Sequence, residues 1–427
     1  MSENIFSELE WRRLLFDHTE GSKDLLSGRK ITLYNGFDPT ADSLHVGHFV
    51  PLMGLARMQR FGHTPIALAG GGTGMIGDPS GRSEERNLLS VEQIEANVAG
   101  IRGQMAAVLD FEVKSNPAKI VNNADWLTPL TMMNFLRDVG KHFTINYMLA
   151  KDSVKSRLDR DDGGISFTEF SYMLLQAYDF YELFRREGCV MQAGGSDQLG
   201  NITAGIQLIR KLTGEQAYGL AYPLITKSDG SKFGKTGTGT VWLDPNKTSP
   251  YRFYQFWLNA DDRDVVNYLK FFTWLDRPEI DAMAHKVETE PHKREAQRTL
   301  AELMTATIHG PTALTRAQQA SEVLFGGELD GLSGDDIADI FAEVPSSELA
   351  KAVLDNGGLP MVDLLTDSGV ASSKGDARRS IDGGGIYLNN QRVEAADAVV
   401  TSGQLIDGRF LVLRKGRKKY HLVKVLA

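Results

Sequence analysis

Cysteine is almost missing from these 427 residues: Cys189 stands alone, which excludes an intramolecular disulfide and a zinc site built from cysteines. No run approaches the roughly 18 apolar residues that a membrane-spanning helix needs. Met1-Ser2-Glu3-Asn4 shows no basic region followed by an apolar run, so no signal peptide and a cytoplasmic location are expected. Internal repeats and low-complexity tracts are lacking too. What is present is an ordinary globular composition, 42% apolar and 24% charged, in a chain too long for one simple core. Its net charge of −8 is unevenly spread: Met361–Ala427 holds 11 Lys and Arg against 7 Asp and Glu, the remainder 36 against 48. A basic tail on an acidic body suggests a polyanionic partner held by one end.

Strands and helices alternate through the first half. Lys30–Phe37, Thr64–Ala69, Lys119–Asn122, Cys189–Ala193 and Ala221–Thr226 read as strands, and Gly47–Arg60, Val91–Leu109, Thr131–His142 and Phe167–Glu187 as helices. That order predicts an α/β fold, a Rossmann-like parallel sheet in a catalytic domain of residues 1–228. Residues 229–325 read as a glycine-rich loop followed by a mainly helical domain. In residues 326–360 eight acids face one base, Lys351, and the stretch reads as an acidic connecting segment. Residues 361–427 read as a small α+β domain, with helices at Met361–Leu365 and Lys374–Ile381 and strands at Ile386–Leu388, Phe410–Arg414 and His421–Val425.

The segment from Tyr34 to His48 carries the most chemistry. It leaves a strand, passes a polar turn and enters a helix beside His45, Gly47 and His48, where backbone N–H groups and the helix dipole favour phosphate. Two other glycine motifs mislead. Gly72-Thr73-Gly74-Met75-Ile76-Gly77 satisfies G-x-G-x-x-G, but a dinucleotide fold needs a helix directly after it, and Pro79 cuts that helix off. Gly230-Ser231-Lys232-Phe233-Gly234-Lys235-Thr236 ends like a P-loop, yet three residues separate its glycines instead of four. It reads better as a mobile loop that closes over phosphates with Lys235.

His45-Val46-Gly47-His48 and Lys232-Phe233-Gly234-Lys235-Thr236, about 190 residues apart on an α/β pattern, resemble the two signatures of class I aminoacyl-tRNA synthetases. Within them the resemblance to the bacterial tyrosyl-tRNA synthetases is close and covers nearly the whole chain. It includes Gly77-Asp78-Pro79-Ser80, the stretch Tyr172–Asp179 and Gly194-Gly195-Ser196-Asp197-Gln198. Residues 361–393 resemble an S4-type RNA-binding domain, notably Lys374-Gly375-Asp376-Ala377-Arg378-Arg379.

The resemblance implies tyrosine activation with Mg²⁺-bound ATP, transfer of tyrosyl to the 3′ end of tRNA-Tyr, a homodimer, and an anticodon-side role for the helical domain. Activation needs no protein nucleophile, because the substrate carboxylate attacks the α-phosphorus and pyrophosphate leaves. Catalysis is therefore positioning and charge stabilisation. Thr40, His45, His48, Lys232, Lys235, Arg82 and Arg86 are the expected phosphate donors, acting as charge stabilisers and not as metal ligands or general bases. Asn35, Gly36, Asp38, Gly47, Gly195 and Asp197, with Lys235, are expected around ATP. Asn35 stands where a cysteine is often found, and a side chain at Gly47 would block the adenine. Tyr34 and Asp179 are expected to bond the substrate phenol, leaving a phenylalanine's partners unpaired; tyrosyl synthetases are themselves the familiar illustration of that rule. Asp78, Tyr172 and Gln176, with Gln192 and Gln198, complete the expected tyrosine site. Tyr172, Gln176 and Asp179 are spaced i, i+4, i+7, which suits one helix face.

Lys374, Arg378, Arg379, Arg414, Lys415, Arg417 and Lys418 are the expected RNA contacts, and Arg210-Lys211 could reach the acceptor arm. Two rival readings stay open here. The tryptophanyl branch shares the fold but normally lacks an S4-like tail. An RNA-binding or splicing protein derived from a synthetase would not need an intact set of His45, His48, Asp78, Gln176, Asp179 and Lys235.

Overall fold

Thr-Pro-Ile-Ala-Leu-Ala at 64–69 is apolar almost throughout, the signature of a parallel strand covered on both faces, and it forms a central strand. The computed structural model describes residues 4–426 except 81–88, 152–153, 156–157, 159–163, 232, 237–238, 324–325, 330, 343 and 417–418. Its first sheet has six strands: β1 (Asp17–His18), β2 (Thr32–Phe37), β3 (Thr64–Ala69), β4 (Lys119–Asn122), β5 (Cys189–Gly195) and β6 (Tyr218–Tyr222). Their spatial order is β1-β6-β5-β2-β3-β4, all parallel except β1 against β6.

The order in which strands are added therefore reverses between β2 and β5. The chain moves outward from β2 through β3 to β4, then returns to build β5 and β6 on the other side. In open α/β sheets such a switch point leaves a crevice at the carboxyl ends of the strands.

Helix Phe167–Glu187 runs as expected because both ends are capped: Ser166 accepts from the Glu169 amide, and Gly188 turns left-handed at φ 60°. Several boundaries differ from expectation, and three of them matter here. The last strand lies at Tyr218–Tyr222 instead of Ala221–Thr226, because Pro223 cannot donate to a ladder. The 131–142 stretch is a helix, Met132–Asp138, then a separate turn, Gly140–His142. His45 caps and His48 ends a short turn, Val46–His48, and the α-helix itself begins at Phe49.

The chain forms two compact units, Met1–Lys247 with Ala260–Leu300 and Thr248–Asn259 with Ala301–Ala427. Between the first unit's β6 and its last helices, β7 (Lys235–Thr236) and β8 (Gly239–Thr240) make a small hairpin. The second unit holds β9 (Ser346–Ala350), β10 (Leu359–Pro360), β11 (Ile386–Leu388), β12 (Gln391–Arg392), β13 (Val399–Val400), β14 (Phe410–Lys415) and β15 (Lys419–Leu426). Five of these form one sheet in the order β12-β11-β14-β15-β9. Along β14, Leu411 and Leu413 enter one core cluster while Phe410 and Val412 enter another, so both faces are covered.

Residues 326–360 are not a connector. β9 pairs in parallel with β15, and Ile337, Ile340 and Phe341 bury themselves over Val412 and Leu422. Three of the acids, Asp335, Asp336 and Asp339, sit on the outer side of a short helix, Gly334–Ile340, while the i, i+3, i+4 spacing of Ile337, Ile340 and Phe341 carries its inner side. Among the described residues, no helix is long and apolar enough to cross a membrane.

Candidate active site

The carboxyl ends of β2 and β5 bring Asp38 together with Gly195 and Asp197, as the switch point requires. Tyr34 pairs in register with Gln192 across these strands, and Asn35 with Ala193. Tyr34, Asn35 and Gln192 are all buried, and Tyr34 Oη, Asn35 Oδ1 and Gln192 Oε1 find no hydrogen-bond partner within the protein. Native proteins rarely leave buried polar atoms so. Gly36 leaves open space beside these groups, since a Cβ there would touch nothing within 4 Å.

Asp179 projects from helix Phe167–Glu187 toward the same place. Its oxygens accept from Trp126 Nε1 at 2.7 Å and Asn123 Nδ2 at 2.9 Å. Burial pushes its carboxyl up to about 7 against those two hydrogen bonds. Burial, and then the nearby Asp179 carboxylate, hold the Tyr34 hydroxyl well above its usual range. Asn123 and Trp126 were not among the sequence candidates. A signal existed: Asn123 directly follows β4, and carboxyl ends of parallel strands are where ligand-directed side chains gather.

One helix turn back, Gln176 Nε2 donates to Gln198 Oε1 at 3.2 Å, and two turns back Tyr172 Oη donates to Asp38 Oδ2 at 2.9 Å. Gln198 Nε2 in turn donates to Asp78 Oδ2 at 2.7 Å. Asn201, also unforeseen, donates to both Gln176 and Gln198. Asp38, Asp78 and Asp197 thus crowd a small volume; burial first, and Asp78 second, raise the Asp197 carboxyl. Three carboxylates near one another suit a cationic ligand group.

On the nucleotide side, the His45 and His48 rings stack at 3.9 Å. The Gly47 amide donates to His45 Nδ1 at 3.0 Å and the His45 amide to His48 Nδ1 at 3.3 Å. Both Nδ1 atoms are acceptors, so each neutral ring carries its proton on Nε2. A Cβ at Gly47 would meet the His45 ring at 2.7 Å, so the nearest obstacle is His45 itself and not only a bound adenine. Thr40 lies exposed beyond Asp38.

The second signature adjoins the first. Gly234, at φ +79°, packs against Val46, the Val46 amide donates to Val241 O at 3.0 Å, and Leu243 N to Leu44 O at 2.8 Å. Phe233 stacks on Phe272 at 5.5 Å. The loop expected to be mobile is thus, in its described part, a hairpin pinned by an aromatic anchor, with Lys235 on β7. Arg82, Arg86, Lys232, Arg417 and Lys418 lie outside the described residues.

In the second unit, Arg378 and Arg379 are exposed on helix Lys374–Asp382. Lys374 pairs with Asp363 at 2.7 Å and Lys415 with Asp376 at 3.0 Å, while Arg414 lies over Tyr387 at 3.8 Å. Arg414 and Lys415 therefore serve folding contacts as well as any RNA role.

Residues 26–326 match the family of class I tRNA synthetases for tryptophan and tyrosine, and residues 336–423 the tyrosine–tRNA ligase SYY-like C-terminal domain. The chain is 58% identical over 422 residues to the tyrosine–tRNA ligase of Roseiflexus castenholzii, covering 99% of each. It is 52% identical over 424 residues to that of Geobacillus stearothermophilus, again covering 99% of each. A C-terminally truncated mitochondrial tyrosyl-tRNA synthetase from Aspergillus nidulans matches with a TM-score of 0.68 at 32% identity, over 76% of this chain and 95% of that one. A Plasmodium falciparum tryptophanyl-tRNA synthetase shares the fold, with a TM-score of 0.51 at 13% identity over 78% of this chain and 87% of that one.

Proposed function

We propose, from the premise that this chain belongs to the class I tRNA synthetases of the tyrosine and tryptophan branch, an assignment of its residues to the tyrosine–tRNA ligase reaction. In that reaction a tyrosine carboxylate oxygen bonds to the α-phosphorus of ATP, and the bond to pyrophosphate breaks. The 3′-terminal ribose hydroxyl of the tRNA then attacks the adenylate carbonyl, and AMP leaves.

The observation that carries the assignment is the trio of unpartnered buried atoms, Tyr34 Oη, Asn35 Oδ1 and Gln192 Oε1, at the switch point. Leaving such atoms unmade costs about 1–3 kcal/mol each, a cost that a polar ligand would relieve. The substrate phenol is read by Tyr34 and Asp179. Its ammonium lies among Asp78, Tyr172, Gln176 and Gln198, with Gln192 beside the ring. Asp38, Asp197 and Gly195 take the adenosine, with Asn35 and Gly36 at the strand end and Gly47 beneath. His45 and His48, with Thr40 and Lys235, and with Lys232, Arg82 and Arg86, stabilise the departing pyrophosphate. Mg²⁺ arrives with ATP as part of the substrate.

Arg378 and Arg379, supported by Lys374, Arg414, Lys415, Arg417 and Lys418, hold tRNA-Tyr through its phosphates. A homodimer is supported by Met132, Met133, Leu136, Ile145 and Leu149, exposed apolar side chains on two helices that share one core cluster with helix Phe167–Glu187. A cytoplasmic location fits these substrates.

Amino-acid-dependent ATP–pyrophosphate exchange with all twenty amino acids tests the reading. Exchange with tyrosine alone is expected; exchange with tryptophan in its place would overturn it.

A further inference from the structure

Thr73 adjoins the nucleotide end of the assigned site and Asn123 the phenol end, and their side chains join the two. Asn123 Nδ2 donates to Asp179 Oδ2 and to Thr73 Oγ1, both at 2.9 Å. The Thr73 hydroxyl donates to Asp38 Oδ1 at 2.9 Å, and Tyr172 Oη completes the other Asp38 oxygen. Thr73 is 2% exposed and Asn123 1%, so no bulk water competes.

The direction of this chain is set by its middle. The Gly72 amide donates to Asn123 Oδ1 at 2.7 Å, which turns the Asn123 nitrogen toward Thr73 and Asp179. A hydroxyl has one proton, and with Asn123 donating to its oxygen, Thr73 gives that proton to Asp38. Polarity therefore runs outward from one amide to two carboxylates. The backbone fits the contact closely: a Cβ at Gly70 would fall 2.1 Å from Asp38 Oδ1 and 2.6 Å from Thr73 Oγ1.

We propose that Thr73 and Asn123 are positioning residues that hold the nucleotide-end carboxylate Asp38 and the phenol-end carboxylate Asp179 in one register, so that damage at either end is felt at the other. This rests on the roles assigned to those two carboxylates above. Buried networks of this kind act as units, and their members give non-additive effects.

The test is tyrosine-dependent ATP–pyrophosphate exchange by the full chain. Asn123→Ala, made at the phenol end, should raise KM for ATP about five-fold along with KM for tyrosine. Thr73→Val, made at the nucleotide end, should raise KM for tyrosine by about the same factor, and Thr73→Ser should restore it. The double variant should cost little more in kcat/KM than the worse single one. Should Thr73→Val fail to fold, Asn123→Ser reads the same cross-effect on ATP. Substitutions that each move only the KM of the substrate at their own end, or that multiply independently, overturn the relay. An unchanged KM for ATP in Asp38→Ala would instead refute the assignment beneath it.

Discussion

In the first unit, Tyr34, Asn35 and Gln192 sit on neighbouring parallel strands with buried polar atoms that no protein group completes. In the second unit, β14 and β15 bury apolar side chains on both faces and Tyr420 Oη donates to Val323 O at 2.9 Å, while the unpartnered Nε of Arg414 on β14 belongs to a guanidinium stacked over Tyr387. The second unit instead turns charge outward, through Arg378 and Arg379. The difference separates two kinds of recognition: a small ligand finishes an incomplete interior, and a polyanion lies on a finished exterior. Loss of function should therefore be sharp and salt-independent in one unit, graded and salt-dependent in the other.

The largest break expected is at Asp179. Asp179→Ala removes the acceptor for Trp126 and Asn123 together with the phenol partner, and should lower kcat/KM for tyrosine in the exchange assay on the order of a hundredfold. ATP binding, followed by a fluorescent analogue, should weaken only several-fold, through the Asn123–Thr73 link to Asp38; an unchanged tyrosine kcat/KM would contradict the phenol assignment. Next comes Gly47→Ala. Its Cβ displaces the His45 ring, 2.7 Å away, and exchange kcat should fall on the order of tenfold with KM for tyrosine steady. If KM for tyrosine rose instead, Gly47 would be coupled to the phenol end by a route other than the Asp38–Thr73–Asn123–Asp179 chain.

Arg378→Ala with Arg379→Ala should leave pyrophosphate exchange unchanged and weaken tRNA charging several-fold, with a shallower dependence on salt concentration. Unchanged charging across that salt range would remove the second unit from RNA binding. The smallest effect is in pH. Burial raises the Asp179 carboxyl to about 7, so the ionised acceptor is lost as pH falls through that value. KM for tyrosine should accordingly drop a few-fold between about pH 6 and pH 8, with its inflection near 7. A flat profile would mean that Asp179 keeps one charge state throughout.

Much of the first unit was legible because its elements are long and punctuated. β3, β4 and helix Phe167–Glu187 lie where apolar runs, the Ser166 cap and Gly188 put them. The final strand was displaced because proline's missing donor outweighs the apolar character of residues beyond Tyr222. Residues 326–360 were misread because net charge describes the outer side of a helix while Ile337, Ile340 and Phe341 decide where it packs. Within the site, residues expected to touch substrate belong to motifs, and motifs show in a sequence. Asn123, Trp126, Thr73 and Asn201 touch other side chains, and only folding reveals whom they hold.

The central claim, that a substrate phenol completes the unpartnered interior of the first unit, is tested most directly by Tyr34→Phe. The measurement is the ratio of kcat/KM for tyrosine to that for phenylalanine in pyrophosphate exchange, before and after the substitution. The ratio should fall about tenfold, through loss of tyrosine activity with phenylalanine activity unchanged. A ratio that stays constant would show that Tyr34 Oη, though buried and unpartnered, reads nothing.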